Sequence, residues 1–457
     1  MPVDRTRIRC LSAVGLLALF ASVGTGARSQ TPPASPAPPM AVGGASPLTL
    51  DQALSAAFAS SPVNRSAQGQ LTQAQQRLAQ AQAQTRSQIT FSSSVGGSNA
   101  SVIQGPPANE SFYTVVNTLT VPLIVGRRAG LAVAQSRQLT AAAREQYEAA
   151  RRGLTTQVGA GYYDVLRKAA LLQIAEDAQA TADRQLGDAQ KRFRAGDVPE
   201  LDVLRARVPV ATARAGVFGA RNTLAAARVS LNGLLGQPLD GDVSVAPAPA
   251  PPAALSMTLE QARTKALENS PDVRAAAAAV RAGAFGYEAS RHARDPSVLL
   301  QASDTRSNDQ TGFGRLDNLS ATVSFPLGDG GLARAQSAEA AAARDQARAQ
   351  LEVARQTVLV SVSSAYLTAE SSLRQIEAAR EAQQIAQTAY DKTTRGYQGG
   401  LFPLSDVLAA QTVLTQARIA ATQAVYDAAV ALFTLTSATD APTAGTDPQA
   451  NPNHAKP

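Results

Sequence analysis

The chain repeats itself, and that property restricts its folding more than any local motif. The stretch from Leu48 to about Gly236 is answered by the stretch from Met257 to about Thr436. A duplicated chain of this kind has to bury two copies of one supersecondary unit against each other. Thr49-Leu50-Asp51-Gln52 and Thr258-Leu259-Glu260-Gln261 stand 209 residues apart. Each reads as a capping box, in which threonine accepts from the amide three residues on and glutamine reaches back. At the same offset Ser61-Pro62 matches Ser270-Pro271, a polar N-cap followed by proline at the first helical position, where a missing N–H costs nothing.

An alanine-rich helix of about 20 to 25 residues in each copy precedes an extended hairpin. In the second copy Leu319, Ala321, Val323 and Phe325 alternate with Asn318, Ser320, Thr322 and Ser324, the period of a strand with unlike faces. In the first copy Tyr113, Val115, Leu119 and Val121 alternate with Thr114, Thr118 and Thr120, interrupted by Val116 and Asn117. Partner strands fall near Gln88 to Ser101 and Val298 to Ser303, with Gly-, Pro- and Asn-rich loops at 96–111 and 304–318. The hairpins end at Val121-Pro122-Leu123 and Phe325-Pro326-Leu327, now 204 residues apart.

A very long helix follows each hairpin. Val158, Tyr162, Val165, Ala169 and Leu172 step by four and three, as do Val362, Tyr366, Ala369, Leu373 and Ile376, giving heptad seams of one phase. From about Gly130 to Arg194 the helix runs about 65 residues, roughly 100 Å at 1.5 Å per residue. The helices stop at glycine turns, Arg194-Ala195-Gly196-Asp197 and Gln398-Gly399-Gly400-Leu401, with Pro199 and Pro403 close behind. Return helices of about 35 residues follow. Each matches its long partner only when the helix before the hairpin lies end to end with it. Pro209 falls inside the first return helix, with Val413 at the equivalent place, and predicts a bend there.

Four strands cannot close a transmembrane barrel, and an open edge in lipid leaves amides unpaired. If these hairpins cross a membrane, the barrel is shared between chains. Across Leu48 to Thr436 the sequence resembles the TolC family of outer-membrane efflux proteins. The resemblance rests on the duplicated capping box, the Ser-Pro pair, the Val/Phe-Pro-Leu strand ends, and the turn motifs Gly196-x5-Asp202-Val203-Leu204 and Gly400-x5-Asp406-Val407-Leu408. It implies a mainly α fold with a small β-barrel part: long helical hairpins forming an α-barrel, two β-hairpins per chain, and a homotrimer with a twelve-stranded barrel in outer-membrane lipid. It also implies two partners, a periplasmic adaptor (membrane fusion) protein and an inner-membrane transporter, and no catalytic residue or cofactor. By the same resemblance Asp202 and Asp406 are gating residues at the periplasmic tip. Gly196, Gly399, Gly400 and Leu401 form adaptor-docking turns. Phe402, Leu201 and Ala409 depart from the family's polar pattern. Three carboxylates of each kind around an axis would favour cations. The plainer role for each aspartate is a favourable charge at a helix N-terminus, and for each glycine a helix C-cap.

The ends and the composition agree with export. Arg5, Arg7 and Arg9 precede an apolar run of thirteen residues from Leu11 to Val23, and Thr25, Gly26 and Ala27 follow. That is the layout of a cleaved signal, too short for a spanning helix. No later segment reads as a transmembrane helix, because Ala, Gln, Arg and Asp interrupt each apolar stretch. Cys10 lies before the apolar run, so neither a lipid anchor nor a disulfide is expected. The net charge of +7 falls to about +5 on loss of Asp4 and the three arginines, and its even spread does not point to nucleic acid. With 4 % aromatics and no tryptophan, long helices packed through small residues are easier to build than a large globular core.

Enzyme readings fail on chemistry. His292 and His454 are the only histidines, so no His/Cys metal site or His-based triad can be assembled. Gly328-Asp329-Gly330-Gly331 lacks the Gly-Lys-Ser/Thr ending of a phosphate loop and reads as a strand-to-helix turn. The chain divides into a signal peptide at 1–27, a Pro/Ala-rich linker at 28–47, a first repeat at 48–238 with its hairpin at about 87–125, a linker at 239–256, a second repeat at 257–437 with its hairpin at about 296–327, and a disordered tail at 438–457. The expected function is a passive exit duct for drugs or other small molecules. The alternatives are a secreted coiled-coil structural or adhesive protein and, within the channel class, a duct for type I protein secretion or metal efflux.

Overall fold

The computed structural model describes residues 47–86, 88–100, 108–124, 126–247, 249, 251–309, 312–324 and 327–440. The expected signal peptide, nearly all of the linker after it, the Phe325-Pro326 strand end and the tail from 441 lie outside them. Element order is α1 (Leu50–Ser60), α2 (Pro62–Ala83), β1 (Gln88–Ala100), β2 (Ala108–Ile124), α3 (Gly126–Ala195) and α4 (Glu200–Leu235), then again α5 (Leu259–Asn269), α6 (Pro271–Arg291), β3 (Ser297–Asp309), β4 (Gly312–Ser324), α7 (Leu332–Gln398) and α8 (Leu404–Thr439).

The helix starts follow local chemistry. Both capping boxes form: Thr49 and Thr258 accept from the amides of Gln52 and Gln261 at 3.3 Å, and each glutamine accepts from the cap amide. The Ser-Pro pairs differ. Ser270 Oγ accepts from the Val273 amide at 3.3 Å, whereas Ser61 makes no side-chain cap and its buried Oγ has no partner among the described residues. Pro62 and Pro271 both sit at the helix start. α4 continues unbroken through Pro209.

All four strands pair antiparallel in the order β1-β2-β3-β4. The ladder runs Gln88↔Thr120 to Ala100↔Ala108, Tyr113↔Asn308 to Ile124↔Val298, and Ser297↔Ser324 to Asp309↔Gly312. Segments read as loops, 96–100, 108–111, 304–309 and 312–318, are therefore strand. Gly, Ser and Asn weaken the hydrophobic alternation, but every non-proline residue still supplies an amide and a carbonyl to the ladder. β2 runs past Pro122, where the register shifts, as expected where an N–H is missing. At 13 to 17 residues the strands exceed the ~9–11 needed to cross a bilayer.

Below the sheet, α3 of 70 residues and α7 of 67 residues are the two spines. α2 and then α4 pack along α3, while α6 and then α8 lie between α3 and α7. The side-by-side order is α4-α3-α8-α7. In the first half the core gathers Leu154, Val158, Tyr162, Val165, Leu231 and Leu235. In the second, Val362, Ala369 and Leu435 meet Ala262 and Ala266, with Leu373 and Ile376 farther along α7.

Further sequence expectations are corrected. The tail expected from 438 starts later, because α8 continues to Thr439, which is buried. Part of the 239–256 linker is built into the core: Val243 is buried, Leu48 and Val245 form a parallel bridge, and Tyr162 Oη donates to Ala246 O at 2.7 Å. A Val-Ser-Val alternation inside a Pro/Ala-rich stretch suffices for this. Also, α8 is long and apolar enough by composition to cross a membrane, with only 28 % of its most apolar window buried within the chain. Its apolar residues are split between a seam on α7 and another facing α3, so the composition reflects packing on two sides.

Candidate functional site: the paired helical tips

Both spines end in one hydrogen-bond pattern. At the first tip Gly196 takes φ +83°, its amide bonds to Phe193 O at 3.0 Å and the Asp197 amide bonds to Arg192 O at 2.9 Å. At the second, Gly400 takes φ +77°, its amide bonds to Tyr397 O at 3.1 Å and the Leu401 amide bonds to Gly396 O at 2.8 Å. These are Schellman caps, whose left-handed residue favours glycine. Gly399 has φ −84°, so only Gly400 of that pair needs to be glycine. All four turn residues, Gly196, Gly399, Gly400 and Leu401, are exposed, Leu401 at 80 %.

Pro199 and Pro403 then cap the return helices, and Asp202 and Asp406 fall in their first turns, where a carboxylate complements the helix dipole. The two are not equivalent. Asp202 has a side chain only 16 % exposed and lies 4.0 Å from Arg205, while Asp406 is exposed and accepts from Ser405 Oγ at 3.4 Å.

The structure adds a joint between the tips that sequence reading did not find. Arg192, in the last turn of α3, donates from Nη1 to Tyr397 O at 3.0 Å and from Nη2 to Gln398 O at 2.8 Å. It thereby caps the end of α7, and its guanidinium lies 4.6 Å from the Tyr397 ring centroid. Beneath it Ala189, Val203, Ala206, Leu404 and Val407 form one buried cluster drawn from both halves. Phe402 packs its ring against Gly396, where any Cβ would collide with it. A last-turn arginine reads from sequence as a cap for its own helix, and nothing local says that it reaches a partner 205 residues away.

Long spines, twin turns and a four-stranded sheet at the opposite end agree with known proteins. The sequence matches the Outer membrane efflux protein family over residues 42–237 and 262–440. The chain belongs to that family. It is 29 % identical to the outer membrane efflux protein BepC of Brucella suis over 321 residues, 68 % of this chain and 70 % of BepC. It is 26 % identical to the cobalt-zinc-cadmium resistance protein CzcC of Cupriavidus metallidurans over 68 % of this chain and 73 % of CzcC. A crystal structure of a membrane protein from Pseudomonas aeruginosa shares the fold, with TM-score 0.75, 22 % identity, and coverage of 86 % of this chain and 93 % of that one. This efflux protein is thus a transport component of the outer membrane, its long helices extending into the periplasm.

Proposed function

We propose that three copies of this chain close side by side into a passive exit duct for drugs or other small molecules. An inner-membrane transporter delivers the cargo through a periplasmic adaptor. The observation that carries this reading is that one chain has two open margins at both levels. β1 and β4 are edge strands, and beneath them α4 and α7 are the outermost wall helices. Unpaired edge amides cost several kcal/mol each in hydrocarbon. Joining β4 of one copy to β1 of the next satisfies them, and three copies give the family's twelve strands.

Gly196, Gly399, Gly400 and Leu401, exposed at the tips, serve as the adaptor-docking turns. Asp202 and Asp406 serve as the acidic gate, with the more exposed Asp406 binding cations more readily. A duct for metal ions is the second reading, favoured by the similarity to CzcC.

Planar-bilayer conductance of the purified oligomer, with and without multivalent cations, tests the reading. Small cation-selective steps blocked from one side, with the block relieved in Asp406→Ala, are expected. Block that survives Asp406→Ala but is lost in Asp202→Ala moves the gate to the first tip, and a folded oligomer without conductance overturns the duct.

A further inference from the structure

Four charged side chains sit on the face of the sheet that its other residues mark for lipid. On that face Ala302 stands between Leu119 and Leu319, and Leu300 between Val121 and Ala321. Thr118, Ser303 and Asn318, then Thr120, Gln301 and Ser320, share the opposite face. In a closed barrel the apolar face meets lipid and the polar face lines the lumen. Leu319 and Val323 are 72 % and 59 % exposed, with nothing in the chain to cover them. One rung beyond Ala302 the apolar face ends on three strands at once, at Asn117, Asp304 and Asp317, and the next rung sets Arg306 beside Arg315.

The four charges form one cluster. Asp304 Oδ2 accepts from Asn117 Nδ2 at 3.3 Å and lies 3.4 Å from Arg306 Nη2, while its Oδ1 lies 3.3 Å from Arg315 Nε. Asp317 accepts from the same Nε at 3.2 Å. The Asp304 side chain is 24 % exposed, those of Arg306 and Arg315 56 % and 61 %. The carboxylate is thus the inner member and holds one guanidinium on each oxygen. It occupies one edge of each: Nε and Nη1 of Arg306 and both Nη atoms of Arg315 have no partner among the described residues.

The height of the cluster says what it faces. The long helices enter the periplasm from the feet of the strands, so the rungs farthest from the helices lie in the outer leaflet. From Ser297 to Arg306 is nine steps, roughly 30 Å along a strand and roughly 23 Å of height at a tilt near ~40°. The apolar band of such barrels is ~25 Å tall, and an arginine on the lipid face costs most at its midplane and little at its margins. Arg306 and Arg315 stand at the outer margin. We propose that they form a binding site for phosphate on the headgroup of an outer-leaflet glycolipid. Guanidinium groups take phosphate through paired N–H donors, and two on adjacent strands converge on one group. The outer leaflet of an outer membrane is built of phosphorylated glycolipid, which brings that chemistry to this level. Asp304 positions both arginines, and with Asp317 it keeps the empty site neutral, so no unpaired charge is left beside lipid. The inference rests on the shared barrel proposed above.

Native mass spectrometry of the detergent-purified oligomer, titrated with bisphosphorylated lipid A and with its fully dephosphorylated form, tests the site. Wild type is expected to bind the phosphorylated form about tenfold more tightly, and Arg306→Gln with Arg315→Gln to abolish that preference. Should this pair fail to assemble because Asp304 is left unpaired, adding Asp304→Asn and Asp317→Asn removes the charges in balance, and the same loss is expected. Inorganic phosphate alone, without acyl chains to hold it at this level, should leave no adduct; an adduct that disappears with the two arginines would make the ligand a free ion and overturn the glycolipid. A trimer that binds both lipid forms alike, or a double variant that keeps the preference, overturns the site and leaves the barrel standing. A monomer by native mass overturns the shared barrel and the lipid-facing site with it.

Discussion

The two halves share a skeleton and differ in where they put bulk. At four seam positions the first half carries the larger residue: Leu154 against Val358, Val165 against Ala369, Leu224 against Ala428, and Leu235 against Thr439. The second half recovers volume farther down its spine, where Leu373 stands in place of Ala169, beside Ile376, which matches Leu172 in size. The first half also has a lid, since Leu48 and Val245 bridge over the core and Val243 packs into it. Duplication has kept the helix phase, which the backbone geometry of the wall requires. It has let the side chains that lock each half diverge.

That difference predicts unequal damage from equal cuts. Leu231 and Leu435 are counterparts and both are buried, but Leu231 shares its buried cluster with Leu154, Val158 and Leu235, whereas the other buried residues around Leu435 are Val362 and four alanines. Leu→Ala costs ~2–5 kcal/mol, depending on how far the site can collapse. Leu231→Ala is expected near the top of that range, about 4 kcal/mol, and Leu435→Ala nearer 2 kcal/mol. The shift in denaturation midpoint of the solubilised protein measures both, and equal shifts would break the comparison.

The lid gives the next largest contrast. Tyr162 Oη is 2.7 Å from Ala246 O and 3.1 Å from Leu48 O, while its counterpart Tyr366 makes no such bond among the described residues. Tyr162→Phe strands a carbonyl that the hydroxyl had satisfied and is expected to cost about 1–2 kcal/mol. Tyr366→Phe should stay within about 0.5 kcal/mol. Burial, and to a smaller extent Tyr163 nearby, raises the Tyr162 pKa. The neutral phenol's contribution is therefore full below the unfolded value of about 10 and is lost as pH rises beyond it. Melting curves of wild type and Tyr162→Phe should converge in that alkaline range.

What was legible in the sequence follows the same division. Capping boxes, glycine caps, seam phase and helix lengths obey local rules, and the residues that set them lie within a few positions of one another. The strand ends were missed because ladder pairing does not need hydrophobic side chains. The lid was missed because Val243 and Val245 sit among prolines and alanines, and the Arg192 clamp because its partners lie in the other half.

The smallest contrast lies where strand hands over to spine. In the second half Asp329 accepts from the Gly331 and Ala333 amides at 3.2 and 2.9 Å, and Arg294, from the loop ahead of β3, grips it through Nε at 3.2 Å and Nη2 at 2.5 Å. One carboxylate thus caps α7 and ties the two feet of the second hairpin together. Its counterpart in the first half is Val125, and no carboxylate stands there. The Arg294 hydrogen bond, then the Ala333 amide, hold the Asp329 pKa down to about 2, from an ordinary 3.8. A depressed carboxylate stabilises the fold above its unfolded pKa and loses that contribution as pH falls through the folded value. Above pH 4, Asp329→Asn should melt below wild type. The gap should narrow between about pH 4 and pH 2 and close below it. Val125→Asn, which removes no carboxylate, should show no pH-dependent gap over that window. A gap at Asp329 that persists unchanged to pH 2 would mean that the neutral side chain caps α7 as well as the ion does, and that the two junctions differ in shape alone.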